Sequence, residues 1–246
     1  MKTDRSQVKQ DFRLNINKST GLLNCLVTGY DPFEDQPFNP SEELVNNMPD
    51  SFSLSKNNVR INLSGLVLPT CGEMAWPILE PVLDEMTTNK KPCLILMLGL
   101  AALRKNITLE RFALNILDGE RKDNYGHVYS GQIIEAGAPQ AIKTNAPIEE
   151  ALAYLRKKGL PADISNFCGT YVCNEIYFQV LRYFEKTRIK NCISFVHLPL
   201  PKAYGQVLAQ KGTKKTIQLA RGKKKQLEAM QLILINLLEF YAKTLI

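Results

Sequence analysis

Ser165-Asn166-Phe167-Cys168-Gly169-Thr170-Tyr171-Val172-Cys173-Asn174-Glu175 joins a strand to a helix and sets a thiol at the junction. Ala162-Asp163-Ile164-Ser165 reads as a short strand, and Gly169 lets the chain turn sharply. From Val172 onward Tyr177, Val180, Leu181 and Phe184 share one helical face, and Asn174, Glu175, Gln179, Arg182 and Glu185 take the other. Cys173 therefore falls in the first turn, where unpaired backbone N–H groups and the helix dipole favour an anion. A thiolate is such an anion, and a free-thiol pKa of about 8.5 can fall to roughly 3.5–7.5 in such a setting. Cysteine is also among the most buried residue types. This stretch by itself leaves a nucleophile and a core thiol both open.

The same strand–turn–helix grammar recurs outward from it. Leu22 to Thr28 is an apolar strand ending in the turn Gly29-Tyr30-Asp31-Pro32-Phe33, which displays two aromatic rings. Asn39-Pro40-Ser41-Glu42-Glu43 has a capping residue, proline at the first helical position and acids in the first turn. Val59 to Leu68 reads as a strand, much of Glu73 to Met86 as a helix whose limits Pro77 and Pro81 leave open, and Leu94 to Leu98 as a buried strand ending at Gly99. Ile107 to Asn115 reads as a further strand carrying Glu110, and 118–132 as a long loop with room for a hairpin. Pro147 to Gly159 is a helix marked at both ends, Cys192 to Val196 a strand ending at His197, and Lys224 to Thr244 an amphipathic helix. Strands alternating with helices predict a three-layer α/β/α domain with a mostly parallel, mixed central sheet over 21–246, after a flexible polar extension over 1–20. In such sheets chemistry gathers at the carboxyl ends of strands. The Gly29 turn, the Gly99 loop, the Cys173 turn and His197 are all expected there.

The 246 residues are 45% hydrophobic and 22% charged, enough for one α/β domain with a sizeable core. The net charge of +7 is concentrated toward Lys211, Lys214, Lys215, Arg221 and Lys223 to Lys225. No aromatic residues are interleaved there for base stacking, so a solvated loop and helix start is expected rather than a nucleic-acid surface. Met230 to Tyr241, the most apolar run, is broken by Gln231, Asn236 and Glu239 and is shorter than the roughly 20 residues of a membrane span. The polar start Met1-Lys2-Thr3-Asp4-Arg5-Ser6 has no apolar signal core. Six cysteines lie mostly in strand-like runs, which predicts free thiols in a reducing cytoplasm.

A catalytic thiol needs a base, and the chain has two histidines. His127 lies in the loop Asn124-Tyr125-Gly126-His127. His197 ends an apolar strand, where it can reach a neighbouring helix mouth or simply be a core or surface histidine held by a carbonyl. Glu110, between apolar neighbours, can orient an imidazole or face solvent. There is no P-loop, no His-Glu-x-x-His and no Gly-x-Ser-x-Gly. Cys168 and Cys173 are too far apart in sequence for a Cys-x-x-Cys pair, and no metal or cofactor is expected.

These residues resemble the pyroglutamyl peptidase I family of cysteine peptidases. The resemblance covers roughly Leu22 to Pro201. Leu26-Val27-Thr28-Gly29-Tyr30-Asp31-Pro32-Phe33 with Asn39-Pro40-Ser41 is similar to the family's first strand and loop. Ile107-Thr108-Leu109-Glu110-Arg111 with Asp123-Asn124 is similar to the segment bearing its glutamate, Gly169-Thr170-Tyr171-Val172-Cys173-Asn174 to its nucleophile motif, and Phe195-Val196-His197-Leu198-Pro199 to its histidine motif. The resemblance implies Cys173 as nucleophile, His197 as acid–base and Glu110 as its orienting carboxylate. It also implies a peptide substrate with a blocked, pyroglutamyl N-terminus, and homo-oligomers. Tyr30, Phe33, Thr70, Tyr171 and Val172 match positions lining the family's lactam pocket, and each has a packing role as its alternative.

The chain departs from the family where relatives commonly have Gly-Gln-Ala-Gly-Gly-Arg and Ala-Arg-Ile-Pro-Asp-Asn. It has Gly99-Leu100-Ala101-Ala102-Leu103-Arg104 and Gly119-Glu120-Arg121-Lys122-Asp123-Asn124. Tyr30 and Tyr171 stand where phenylalanine is usual. Leu100, Glu120 and Arg121 are expected to alter the wall facing the thiol. Two alternatives follow: a triad acting on another small acyl-amide, and a non-catalytic α/β interaction protein that keeps the scaffold.

Overall fold

The computed structural model describes residues 23–33, 38–54, 59–201 and 214–246; the expected extension over 1–20 and the basic Lys211 lie outside them. Among the described residues the chain runs β1 (Asn24–Tyr30), α1 (Pro40–Asn46), β2 (Ser51–Leu54), β3 (Val59–Leu68), α2 (Gly72–Thr87), β4 (Cys93–Leu100), β5 (Ile107–Glu110), β6 (Phe112–Leu114), β7 (Leu117–Gly119) and β8 (Tyr129–Gln132). It continues through β9 (Ala141–Lys143), α3 (Ile148–Lys157), β10 (Ala162–Ser165), α4 (Val172–Thr187), β11 (Asn191–Leu198) and α5 (Lys214–Leu245). Seven strands form one sheet in the order β10-β5-β11-β4-β1-β3-β2. The middle four, β11, β4, β1 and β3, are parallel to one another. At the edges β2 runs antiparallel to β3, and β5, paired in parallel with β10, runs antiparallel to β11.

The apolar run of β4 is buried on both faces, which is why it occupies the centre. Leu94, Leu96 and Leu98 pack in the layer of α1, α3 and α5, where Ile148, Leu155, Leu234 and Tyr241 join them. Cys93, Ile95 and Met97 pack in the layer of α2 and α4, against Leu79, Leu83, Ile176 and Phe184. The sheet is thus covered on both sides, as its pattern predicts.

Local chemistry sets the boundaries. Asn39 caps α1, its Oδ1 accepting the Ser41 N–H at 3.0 Å, with Pro40 first in the helix. α2 runs through Pro77 and Pro81. The expected strand from Ile107 to Asn115 is broken at Arg111, whose N–H donates to the Ser165 carbonyl (2.8 Å) and whose carbonyl accepts from Thr144 N–H (2.8 Å). That double engagement moves the chain from the main sheet into a β6–β9 ribbon. The loop over 118–132 contains the β7–β8 hairpin. α5 begins ahead of the expected Lys224, and Lys223 within it pairs with Glu43 at 3.3 Å and lies over the Phe38 ring. No helix among the described residues is long and apolar enough to cross a membrane.

One expectation about direction is overturned. β10 runs against the four parallel strands, so Cys173 does not follow a carboxyl end on the His197 edge. Ser165 pairs with Glu110, which pairs with Phe195 in mid-β11. Residues 166–171 must carry the chain back toward His197, helped by Gly169 at φ +87°.

Candidate active site

Strand register assembles the polar centre. His197, near the end of β11, lies opposite Gly99 of β4 and Thr108 of β5, and Phe195 lies opposite Glu110. Paired residues share a sheet face, so Thr108, Glu110, Phe195 and His197 all point into the α2/α4 layer. Glu110 is fully buried and accepts the His197 Nδ1–H at 2.8 Å. With Nδ1 protonated, Nε2 is the basic nitrogen. Arg104, in the loop after β4, pairs with Glu110 and with the Thr108 hydroxyl, and also donates to Ser165 Oγ (3.2 Å) and the Phe167 carbonyl (3.0 Å).

These contacts decide the charges. Burial works against ionised Glu110, but the hydrogen bonds of His197 and Ser165 and the charge of Arg104 outweigh it and hold the carboxyl below its ordinary value. Burial lowers His197 further than Glu110 raises it, so the imidazole is neutral at pH 7. The centre is a carboxylate beside a neutral, oriented base.

Cys173 occupies the first turn of α4, after Tyr171 as the extended N-cap residue. Its Sγ packs against the end of β4: a Cβ on Gly99 would lie 3.0 Å from it and 2.9 Å from the Phe195 ring. Only glycine leaves that room. Burial first, and then the Glu110 charge, push the thiol up to about 12, against the pull of its own backbone N–H and of Arg104. Burial and the neighbouring carboxylate thus oppose the lowering expected at a helix mouth. Asn174 anchors this turn. Its Oδ1 accepts the Leu114 N–H (2.7 Å) and its Nδ2 donates to the Leu114 and Ile116 carbonyls (2.9 Å each). Asn174 and Glu175, on the helix face opposite Tyr177 and Phe184, are both buried, Asn174 against that strap and Glu175 against Gly72.

Thiol and imidazole line one cavity of about 300 Å³, at the small end for ligand sites. Tyr30, Phe33, Thr70, Leu100 and Tyr171 complete its apolar side. Phe33 and Tyr171 lie with ring centroids 6.5 Å apart. Thr70 is committed to scaffolding: its N–H donates to Asp31 Oδ1 (2.7 Å) and its hydroxyl to the Asp31 carbonyl (3.1 Å). Asn124 bridges from the β7–β8 loop to Asp31 Oδ1 (3.0 Å) and the Pro32 carbonyl (2.8 Å). Buried Tyr30 has a hydroxyl with no hydrogen-bond partner among the described residues.

Of the residues singled out in the sequence, Cys173, His197, Tyr30, Phe33, Thr70 and Tyr171 reach this cavity, and Glu110 stands behind His197. Val172 does not: its side chain is fully buried in the core. Leu100 lines the wall, whereas Glu120 and Arg121 are exposed and outside the lining. His127 pairs with Asp123 instead of the thiol. Sequence reasoning missed Arg104, Asp31, Asn124 and Cys168. Cys168 is buried with its sulfur within 4.8 Å of donor atoms of Glu110 and His197. The signals for Arg104 were its match to the last residue of the relatives' Gly-Gln-Ala-Gly-Gly-Arg and the Thr108-x-Glu110 alternation, which puts a hydroxyl and a carboxylate on one strand face.

A thiol, a carboxylate-oriented base and helix-terminal N–H groups around one small cavity suit acyl transfer. A sequence model of the family described as pyroglutamyl peptidase matches residues 23–220. The pyrrolidone-carboxylate peptidase of Thermococcus onnurineus is 32% identical over 180 residues, 72% of this chain and 84% of that protein. That of Oceanobacillus iheyensis is 34% identical over 179 residues, again 72% and 84%. Among solved structures, the pyrrolidone carboxyl peptidase of Thermus thermophilus is similar with a TM-score of 0.67 at 30% identity, covering 85% of this chain and 98% of that one. The enzyme from Fervidobacterium islandicum gives 0.68 at 34% identity, covering 88% and 99%. The family match takes in β1 through β11 and every group of the cavity, and on that extent this chain belongs to the pyroglutamyl peptidase family of cysteine hydrolases.

Proposed function

We propose that the chain hydrolyses the amide bond after an N-terminal pyroglutamyl residue, with Cys173 as nucleophile, His197 as proton carrier and Glu110 as the group that orients it. The observation that carries this reading is the His197 Nδ1–Glu110 bond of 2.8 Å behind a cavity shared with Cys173. His197 Nε2 takes the thiol proton as sulfur attacks the amide carbon. The oxyanion is met by N–H groups at the start of α4, which have no intrahelical acceptor. Collapse expels the amine, which takes the proton from His197. Water, deprotonated by the same nitrogen, then cleaves the thioester and restores the thiol. The lactam is small, uncharged and without a free amine, which suits a small apolar wall of Tyr30, Phe33 and Tyr171.

Hydrolysis of a fluorogenic pyroglutamyl amide tests the assignment. Cys173→Ala should lower kcat/KM at least ~1,000-fold, and hydrolysis that survives the substitution removes Cys173 from the role. Leu100 in the cavity wall favours a second reading, in which the triad takes a different small acyl group. Wild-type protein inert on the pyroglutamyl amide, yet acylated once at Cys173 by a small reactive ester, would support that one.

The same reading sets the chain in a reducing cytoplasm, which suits six free cysteines. Self-association through α5 belongs to it as well, since Leu232 on that helix and Ile246 just after it are about half exposed.

A further inference from the structure

Among the described residues two groups of three side chains bring potential metal donors within 4.8 Å of one another. One is the reaction centre. The other, Cys71, Asp123 and His127, has no part in the chemistry above. Cys71 is the residue before α2, and Asp123 and His127 belong to the β7–β8 loop.

Its geometry is close to that of a metal-binding trio. His127 Nδ1 lies 3.1 Å from Asp123 Oδ2 and 3.8 Å from Cys71 Sγ. With zinc bonds of about 2.3 Å to sulfur and about 2.0–2.1 Å to nitrogen or oxygen, tetrahedral angles separate sulfur from nitrogen by about 3.6 Å and nitrogen from oxygen by about 3.3 Å. The two His127 spacings match these to within a few tenths of an ångström, and Cys71 Sγ lies within 4.8 Å of the Asp123 carboxylate oxygen. The surroundings hold them in place. Asp123 Oδ1 accepts the Tyr125 and His127 N–H groups at 2.9 Å each, and the Tyr129 hydroxyl donates to Oδ2 at 2.6 Å. That hydroxyl in turn accepts the Gly72 N–H at 3.3 Å, linking the carboxylate to the backbone beside Cys71. On the far side of the ring, Glu73 Oε2 stands 3.8 Å from His127 Nε2. A carboxylate on the nitrogen opposite the metal is how ligating histidines are usually oriented.

The neighbourhood is also short of positive charge. Glu175 is nine-tenths buried, its Oε2 has no hydrogen-bond partner among the described residues, and it packs so tightly on Gly72 that a Cβ there would lie 1.9 Å away. No lysine or arginine among the described residues pairs with Glu73, Asp123 or Glu175.

We propose that Cys71, Asp123 and His127 bind a divalent transition cation of the zinc class through Sγ, one carboxylate oxygen and Nδ1, with water in the fourth position. Binding releases the Cys71 proton to solvent and leaves the imidazole proton on Nε2, which faces the Glu73 carboxylate at 3.8 Å. Because Asn124 ties the same loop to Asp31 and Pro32, the cation pins the wall that carries Phe33 and Thr70.

Cobalt(II) titration of the full chain carrying Cys173→Ser tests this without reference to turnover. One equivalent should produce a thiolate-to-cobalt charge-transfer band together with tetrahedral visible bands. Cys71→Ser and His127→Ala should each abolish the charge-transfer signature or weaken binding at least 100-fold, and Glu73→Gln should weaken it about 10–100-fold. His127 is partly exposed, so His127→Ala keeps the test decisive if the buried Cys71→Ser chain does not fold by circular dichroism. No charge-transfer band, or a band that survives His127→Ala, overturns the site. So does a band lost only with Cys168→Ser, which would put the cation in the reaction centre.

Discussion

Burial and the Glu110 charge raise the Cys173 thiol, and that changes how its reactivity should be probed. A thiol pushed up to about 12 is protonated throughout the neutral range. Below that value the thiolate fraction, and so the alkylation rate, should rise about tenfold per pH unit from pH 6 to 9. A plateau reached below pH 8 would mean a standing thiolate–imidazolium pair and would contradict the burial argument. The hydrolytic pH profile should differ, because the base and not the thiolate fraction governs it. His197 titrates below its ordinary value of about 6.5, so its neutral form persists into mild acid, and kcat/KM should fall only below that point. Slow alkylation at pH 7 is therefore no argument for an inert scaffold; substrate turnover is the deciding measurement. Arg104 also belongs to this scale. The resemblance singles it out from Lys105 as the arginine that closes the Gly99–Arg104 segment, but assigns it no partner. Only the folded loop brings its guanidinium to Glu110.

At the level of elements, α4 depends on one side chain. Asn174 is fully buried and makes three hydrogen bonds to the backbone of the strap from Leu114 to Ile116. Asn174→Ala leaves a buried N–H and two carbonyls unpaired and should cost about 2–4 kcal/mol, lowering the denaturant midpoint. Because Asn174 adjoins Cys173, kcat should fall as well; loss of stability with unchanged kcat would show that the strap does not place the thiol. Element identities were largely legible in the sequence. Val59–Leu68 and Ala162–Ser165 have the expected limits, and α4 starts at the expected Val172. Period and turn chemistry encode those features directly. Strand direction is different, since alternation looks the same both ways along a strand. The reversal of β5 and β10 was therefore hidden, and with it the return path to Cys173. The burial of Asn174 and Glu175 was hidden for a related reason: periodicity separates two faces but does not say that the second is covered by another segment. Similarly, Glu120 and Arg121 align with wall positions in the family's sequences, yet the β7–β8 hairpin turns them outward.

Across the whole molecule the sheet separates two tasks. The α2/α4 layer holds the cavity, and the α1/α3/α5 layer holds the larger aliphatic core. Leu237 of α5 is fully buried in the latter. Leu237→Ala should destabilise by about 2–5 kcal/mol and lower Tm by about 2–4 °C per kcal/mol. At 25 °C kcat/KM should stay within about twofold of the parent, and a larger loss would mean that the two layers are mechanically coupled. The pairing of β11 with β4, which sets His197 opposite Gly99, has a consequence for biosynthesis. The cavity gathers groups from Tyr30 to His197, and no contiguous stretch contains it. Contacts so distant along the chain form late, after the local helices and turns. A growing polypeptide that has already displayed Cys173 still has no base for it until β11 emerges and inserts between β4 and β5. On the mechanism proposed above, hydrolysis therefore begins only when β11, the last strand of the sheet to emerge, has joined it.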